Sequence, residues 1–249
     1  MNLPLITAHA GCMNTQPNTI SSILKGIETG ADIIEVDVRA TKDGVAILTP
    51  DSLVNPSELK SKKVEELTFE ELRIFEETKN IVTLEEVLDL ILKYDKVLNL
   101  DMKSSYCIEP MTKIVIQKNM TNHVILSGCD KEKAFYMHKN YPGFRVLLNV
   151  EDENFNSKNY NYQSIIKEIC HDAIDTSCCG INIEYKHCNK ELIDYAHSRF
   201  LPISIWTLDD ISDMNKYFKL GVYSITTNKV KKMMELKKNI LMKRRAGNA

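Results

Sequence analysis

The stretch Gly30-Ala31-Asp32-Ile33-Ile34-Glu35-Val36-Asp37-Val38 decides how this chain folds. Ile33, Ile34, Val36 and Val38 form the β-branched run of a buried strand. Glu35 and Asp37 interrupt that run two residues apart, and alternate residues of a strand share a face. Both carboxylates therefore point the same way. Two like charges on a buried face are costly unless a cation or a shared proton compensates them. Two oxygen donors at this spacing suit a hard divalent cation, Mg²⁺ or Ca²⁺. On an edge strand the same pair would simply be solvated, and this stretch alone leaves both readings open.

The rest of the chain supplies the frame. Leu3 to Ala8 reads as a strand ending at His9, and Pro17-Asn18-Thr19 opens a helix that Gly30 stops. After the acidic strand, Asp43-Gly44 marks a turn, and Val45 to Leu48 can pair back as a hairpin strand. A polar excursion follows, so that residues 43–65 form a small hairpin and loop. Thr68-x-x-Glu71 and Thr83-x-x-Glu86 fit the capping box that starts a helix. From Val97 onward, short apolar runs alternate with helical periodicity, the last helix running from about Val230 toward Arg245. With the hairpin strand counted as an extra, the chain holds eight strand-then-helix units. Such alternation implies a parallel sheet, and eight units in about 250 residues match an α/β (β/α)8 TIM barrel. An open doubly wound sheet is the competitor, but no Gly-x-Gly-x-x-Gly follows a strand. No linker rich in Pro, Gly or Ser appears, so residues 1–249 are expected to form a single domain.

Composition narrows the function. A net charge of −2 predicts no nucleic-acid partner. No apolar run is long enough for a membrane span, and the first residues do not resemble a signal peptide. The Lys- and Arg-rich segment from Lys229 reads as a solvated helix face, with membrane contact as the lesser alternative. Seven scattered cysteines without a CxxC pair suggest reduced thiols, a cytoplasmic location and no zinc site.

In a TIM barrel the functional rim lies at the C-terminal ends of the strands. His9, Glu35 with Asp37, and Asp101 with Lys103 occupy those ends on the first three barrel strands. Trp206-Thr207 and Thr227-Asn228 occupy them on the last two. Taken singly, each has an ordinary explanation: His9 as a strand-end residue, Asp101 and Lys103 as a local ion pair, Trp206 as core. Together they suit metal-assisted attack at phosphorus. A divalent cation on Glu35, Asp37 and Asp101 would spread the developing charge, Lys103 would add a second positive charge, and His9 would move protons.

In order along the chain, His9-Ala10-Gly11, Pro17-Asn18-Thr19, Gly30-Ala31 with Glu35-Val36-Asp37-Val38, Thr41-Lys42-Asp43-Gly44, Leu98 to Lys103, Trp206-Thr207, and Gly221-Val222 with Thr227-Asn228 resemble the motifs of glycerophosphodiester phosphodiesterases. The resemblance implies a (β/α)8 barrel that uses one divalent cation, Mg²⁺ or Ca²⁺. Its substrates would be small phosphodiesters, glycerophosphodiesters or lysophospholipids, and a glycerophosphodiester would give glycerol 3-phosphate and an alcohol. By the same resemblance, Glu35, Asp37 and Asp101 are metal ligands, His9 is catalytic, and Lys103 and Trp206 bind substrate. The chain departs from the family pattern at five places. Ala10 stands where the family has an Arg that helps hold phosphate, and Pro17 where it has a Glu. Pro50 stands where it has a second catalytic His. Asp101 replaces a Glu and Asn228 an Asp. His187 and His123 are the candidates to replace the missing imidazole, His123 facing the wrong rim. Two readings follow: a hydrolase with an altered acid–base set, or a silent barrel that binds a metal and a phosphorylated ligand. A bare scaffold is a third. The retained carboxylates favour the hydrolase, because an unfilled acidic cluster is destabilising.

Overall fold

The structure is a computed structural model describing residues 3–54, 61–155 and 161–247. Eight parallel strands form the barrel: β1 (Leu5–Ala8), β2 (Ile33–Ala40), β3 (Val97–Met102), β4 (Val124–Cys129), β5 (Val146–Val150), β6 (Gly180–Glu184), β7 (Ile203–Trp206) and β8 (Ser224–Thr227). Each pairs with its sequence neighbours, and β1 pairs with both β2 and β8, which closes the sheet into a (β/α)8 TIM barrel. The hairpin strand Ala46–Leu48 pairs antiparallel with the end of β2, as Asp43-Gly44 implied. Within the 43–65 excursion, residues 55–60 lie outside the described residues.

Helices α1 (Ile20–Glu28), α2 (Phe69–Ile74), α3 (Leu84–Tyr94), α4 (Ile108–Gln117), α5 (Lys131–Asn140), α6 (Tyr162–Asp175), α7 (Lys190–His197), α8 (Ile211–Leu220) and α9 (Val230–Gly247) follow in order. Local chemistry explains several of their starts. Thr68 and Thr83 accept from the backbone of Glu71 and Glu86, whose carboxylates bond back to the threonine amides, so both capping boxes are closed. Thr19, Asp130 and Asp210 cap α1, α5 and α8. The basic α9 is docked rather than free: Lys237 reaches Asp32 at 2.8 Å, and the same Asp32 oxygen accepts the backbone N–H of Ile6 in β1.

Strand alternation sorts the residues. Ile34, Val36 and Val38 of β2, with Leu98, Leu100 and Met102 of β3, pack outward into the apolar layer under the helices. The alternate residues face the barrel axis, where the lining near one end includes Ile33, Ile125 and Leu147. Higher up, the inward residues become polar: Asn99, Ser127, Asn149, Asn182 and Thr226, then Glu35 and Asp101 at the C-terminal rim. All of β2 is buried. The edge-strand alternative for Glu35 and Asp37 therefore fails, because β2 has partners on both sides.

Candidate active site

A cavity of about 370 Å³ opens at the C-terminal rim. His9, Glu35, Asp101, Lys103 and Trp206 line it, so five of the six residues singled out in the sequence meet at one place. Asp37, the sixth, adjoins it: it is the register partner of Asp101 across the β2–β3 pair. Carboxylate oxygens of Glu35, Asp37 and Asp101 all lie within 4.8 Å of one another.

Each carboxylate is held by named donors. The Ala10 N–H donates to Glu35 Oε2 at 2.7 Å. Asn18 Nδ2 donates to Asp37 Oδ2 at 2.7 Å, while Asn18 Oδ1 accepts the Asp37 N–H at 2.9 Å. Asn18 does this from a left-handed conformation, φ 58°, which asparagine tolerates better than most residues. Ser127 donates to Asp101 Oδ1 at 2.8 Å. The Lys103 ammonium bridges the two aspartates, 2.6 Å from Asp37 Oδ1 and in contact with Asp101 Oδ2. The local ion pair is therefore real, and it is one limb of a larger cluster.

The charges do not balance. One ammonium faces three carboxylates, and Glu35 is only 6 % exposed. Burial first, then the charges of Asp37 and Asp101, push the Glu35 carboxyl well above the ordinary glutamate range. Burial alone would lower the Lys103 ammonium, but Asp101 and Asp37 outweigh it and raise it. An oxygen-only donor set with excess negative charge fits a hard divalent cation. Softer N or S ligands are missing from this trio, so zinc fits less well.

His9 is oriented by a chain that the sequence did not announce. Its Nδ1 lies 3.1 Å from Asn228 Oδ1. Asn228 is itself turned by Asp209, which accepts the Asn228 Nδ2 at 2.9 Å, the Asn228 backbone N–H at 2.8 Å and the Thr227 hydroxyl at 3.0 Å. Burial opposes the charge on Asp209, but these donors prevail and hold its carboxyl below the usual range. With the Asn228 amide so fixed, its oxygen faces His9. Nδ1 must then carry the proton, which leaves Nε2 as the basic nitrogen.

The substitute imidazoles are not delivered. His187 Nε2 is bound to Asp152 Oδ1 at 2.8 Å, and its ring stacks on Phe155 at 4.1 Å. His123 sits beside Asp95 at the opposite end of the barrel. Pro50 is anchored: both Nε and Nη2 of Arg39 donate to its carbonyl, at 3.3 and 3.2 Å. Trp206 lines the cavity rather than the core, and its indole Nε1 is a buried donor with no partner among the described residues. Asn18, Ser127, Asp209 and the cavity residues Lys133, Asn149 and Asn182 were not anticipated. Pro17-Asn18-Thr19 carried a signal for Asn18, and Trp206 to Asp209 a weak one for Asp209.

Oxygen donors, a lysine and an oriented base around one polar cavity suit attack at phosphorus, the chemistry of a phosphoric diester hydrolase. Comparison with known proteins narrows this class. The profile of the Glycerophosphoryl diester phosphodiesterase family matches residues 9–232, and the chain belongs to that family. It is 26% identical over 247 residues to the glycerophosphodiester phosphodiesterase of Caldanaerobacter subterraneus subsp. tengcongensis, covering 93% of this chain and 97% of that one. It is 26% identical to the Bacillus altitudinis glycerophosphodiester phosphodiesterase over 239 residues, 90% of this chain and 94% of the other. Among solved structures, an Oleispira antarctica phosphodiesterase in complex with its product sn-glycerol-3-phosphate superposes with a TM-score of 0.73 at 18% identity, covering 94% of this chain and 96% of that one. Among the described residues, no helix is long and apolar enough to cross a membrane.

Proposed function

We propose that this chain is a glycerophosphodiester phosphodiesterase that depends on one divalent cation, Mg²⁺ or Ca²⁺, and works with a reduced acid–base set. The observation that carries this reading is the buried, undercompensated trio of Glu35, Asp37 and Asp101 beside an oriented His9. The trio would hold the cation, which supplies Lewis-acid polarisation of a nonbridging phosphate oxygen. Lys103 adds a fixed positive charge at the same place. Nε2 of His9 takes a proton from the attacking water as its oxygen bonds phosphorus and the bond to the leaving alcohol breaks, and the Asn228 amide keeps the ring in the productive tautomer. Trp206 forms part of the cavity wall against which the substrate packs. The leaving alkoxide takes its proton from water, since His9 is the only imidazole lining the cavity among the described residues. A missing general acid costs about 10²- to 10⁴-fold in rate.

The cavity's lining of amides, hydroxyls and charges suits a water-soluble glycerophosphodiester better than the acyl chain of a lysophospholipid. Residues 1–249 act as one catalytic unit, and seven free cysteines accord with work in a reducing cytoplasm. A second reading, a silent barrel that binds metal and a phosphorylated ligand, draws on one observation: Pro50, anchored by Arg39, puts no titratable group at that rim position.

The test follows glycerol 3-phosphate release from glycerophosphocholine by metal-stripped protein, with Mg²⁺, Ca²⁺ or Mn²⁺ restored. Turnover that requires both metal and His9 supports the hydrolase. Metal-dependent thermal stabilisation without turnover supports the silent barrel.

A further inference from the structure

We propose that Lys133 is a substrate-binding residue whose ammonium holds the phosphate of the substrate from the β4 side of the cavity. The inference rests on the phosphodiesterase reading above and deepens it. Lys133 lies in the first turn of α5, and helical side chains lean toward the helix N-terminus, so it extends back over the end of β4. There its Nζ meets the Gly128 carbonyl at 2.7 Å and lines the same cavity as His9, Glu35 and Asp101.

Gly128 is what lets Lys133 come so close. Its φ is +71°, and a Cβ there would stand 2.5 Å from the Met102 carbonyl oxygen and 3.0 Å from Asp101 Oδ1. Only a glycine permits β4 to press against the end of β3 in this way. The carbonyl to which Lys133 is bound therefore belongs to a residue that abuts Asp101. On the cavity wall Lys133 stands on the β4 side, with β3 and β2 between it and β1.

Charge gives Lys133 its task. Among the described residues, Lys103 and Lys133 are the lysines that line the cavity, and no arginine lines it. Lys103 is already committed to Asp37 and Asp101. With three carboxylates, one lysine, a divalent cation and an anionic phosphodiester assembled, the site still carries excess negative charge. Cleavage makes this worse, because the monoester product gains a further charge. Glu151, also on the cavity wall, adds to that excess, and a second ammonium offsets part of it. The present partners of Lys133 release it easily: one is a neutral carbonyl, and the other, Asp130 at 3.2 Å, is half exposed to water.

The experiment compares wild type with Lys133→Met, Lys133→Gln and Lys133→Arg. Steady-state kinetics on glycerophosphocholine with Mg²⁺ run beside calorimetric binding of sn-glycerol 3-phosphate and a Mn²⁺ titration. The neutral variants should raise KM, and Kd for glycerol 3-phosphate, about 10- to 100-fold, as expected for a lost charge-assisted hydrogen bond. Mn²⁺ affinity and melting temperature should hold, and Lys133→Arg should restore most of the binding. Neutral variants that bind glycerol 3-phosphate as wild type does overturn the proposal. So does weakened Mn²⁺ binding or a lowered melting temperature in both neutral variants, since Lys133 would then only brace the rim. Wild type that binds glycerol 3-phosphate yet turns over no phosphodiester defeats the hydrolase reading while the binding arm still tests Lys133. Wild type that does not bind it defeats both.

Discussion

Two clusters on the same rim contain similar groups and meet opposite fates. Glu35, Asp37 and Asp101 lie under the β1–β3 side; Asp152, Glu184 and His187 lie at the ends of β5 and β6. Each trio brings its ligand-type atoms within 4.8 Å of one another. The second trio settles its own charge. His187 bonds Asp152 and Lys186 bonds Glu184, both at 2.8 Å, and water reaches all of them. The bond to His187, first of all, holds Asp152 below the usual carboxylate range. In the first trio Glu35 is pushed the other way. Composition is therefore a poor guide to a cation site. What counts is whether burial leaves charge that the protein itself cannot neutralise.

The largest break in the comparison should come from the two histidines. His9→Ala should lower kcat about 10²- to 10⁴-fold, while His187→Ala should leave it unchanged in the glycerophosphocholine assay. Comparable losses from both would mean that the second cluster joins the chemistry. The carboxylates come next. Asp37→Asn should cost about 10²- to 10³-fold in kcat/KM and abolish stabilisation by Mg²⁺, which for an intact site is about 2.7 kcal/mol at a hundredfold excess over Kd. Glu184→Gln should keep the full melting response to Mg²⁺. Asp209→Asn is a smaller perturbation, because it acts through Asn228. A loss of about 10- to 100-fold in kcat with little change in KM is expected, with metal affinity intact.

The smallest effect concerns stability without metal, and its sign is informative. Glu35 has a raised folded-state pKa, so its contribution favours folding below its ordinary value of 4.5 and is lost as pH rises through the raised value. Asp152 is lowered, so its contribution is present above its ordinary value of 3.8 and is lost as pH falls. In chelator at neutral pH, Glu35→Gln should therefore melt at or above wild type, the advantage vanishing toward pH 4. Asp152→Asn should melt no higher than wild type at neutral pH. Urea melts across this pH range read both signs.

The barrel and the carboxylate trio could be read from the sequence because their signals are local. The β-branched run around Glu35, the Asp43-Gly44 turn and the threonine capping boxes each declare themselves within a few residues. The chain that orients His9 could not be read this way, since Asn228 lies 219 positions from its partner. Nor could the grip of Arg39 on Pro50, which depends on how an excursion folds back over β2. His187 looked available because sequence gives the rim a residue occupies and not the neighbour that claims it. Lys133 was invisible for the opposite reason. A lysine in a helix's first turn is ordinary, and only the close approach at Gly128 brings it to the cavity.

The seating of His9 against Asn228 also has a consequence in time. His9, the three carboxylates and Lys103 all belong to the first 103 residues, so a ribosome delivers them early. Asn228 and Asp209 emerge roughly ten seconds later at ordinary rates of synthesis. Until β8 arrives, β1 has an open edge and His9 has nothing to turn it. A nascent chain thus carries the acidic groups well before it has an aligned base, and catalytic competence marks the moment at which the barrel has closed.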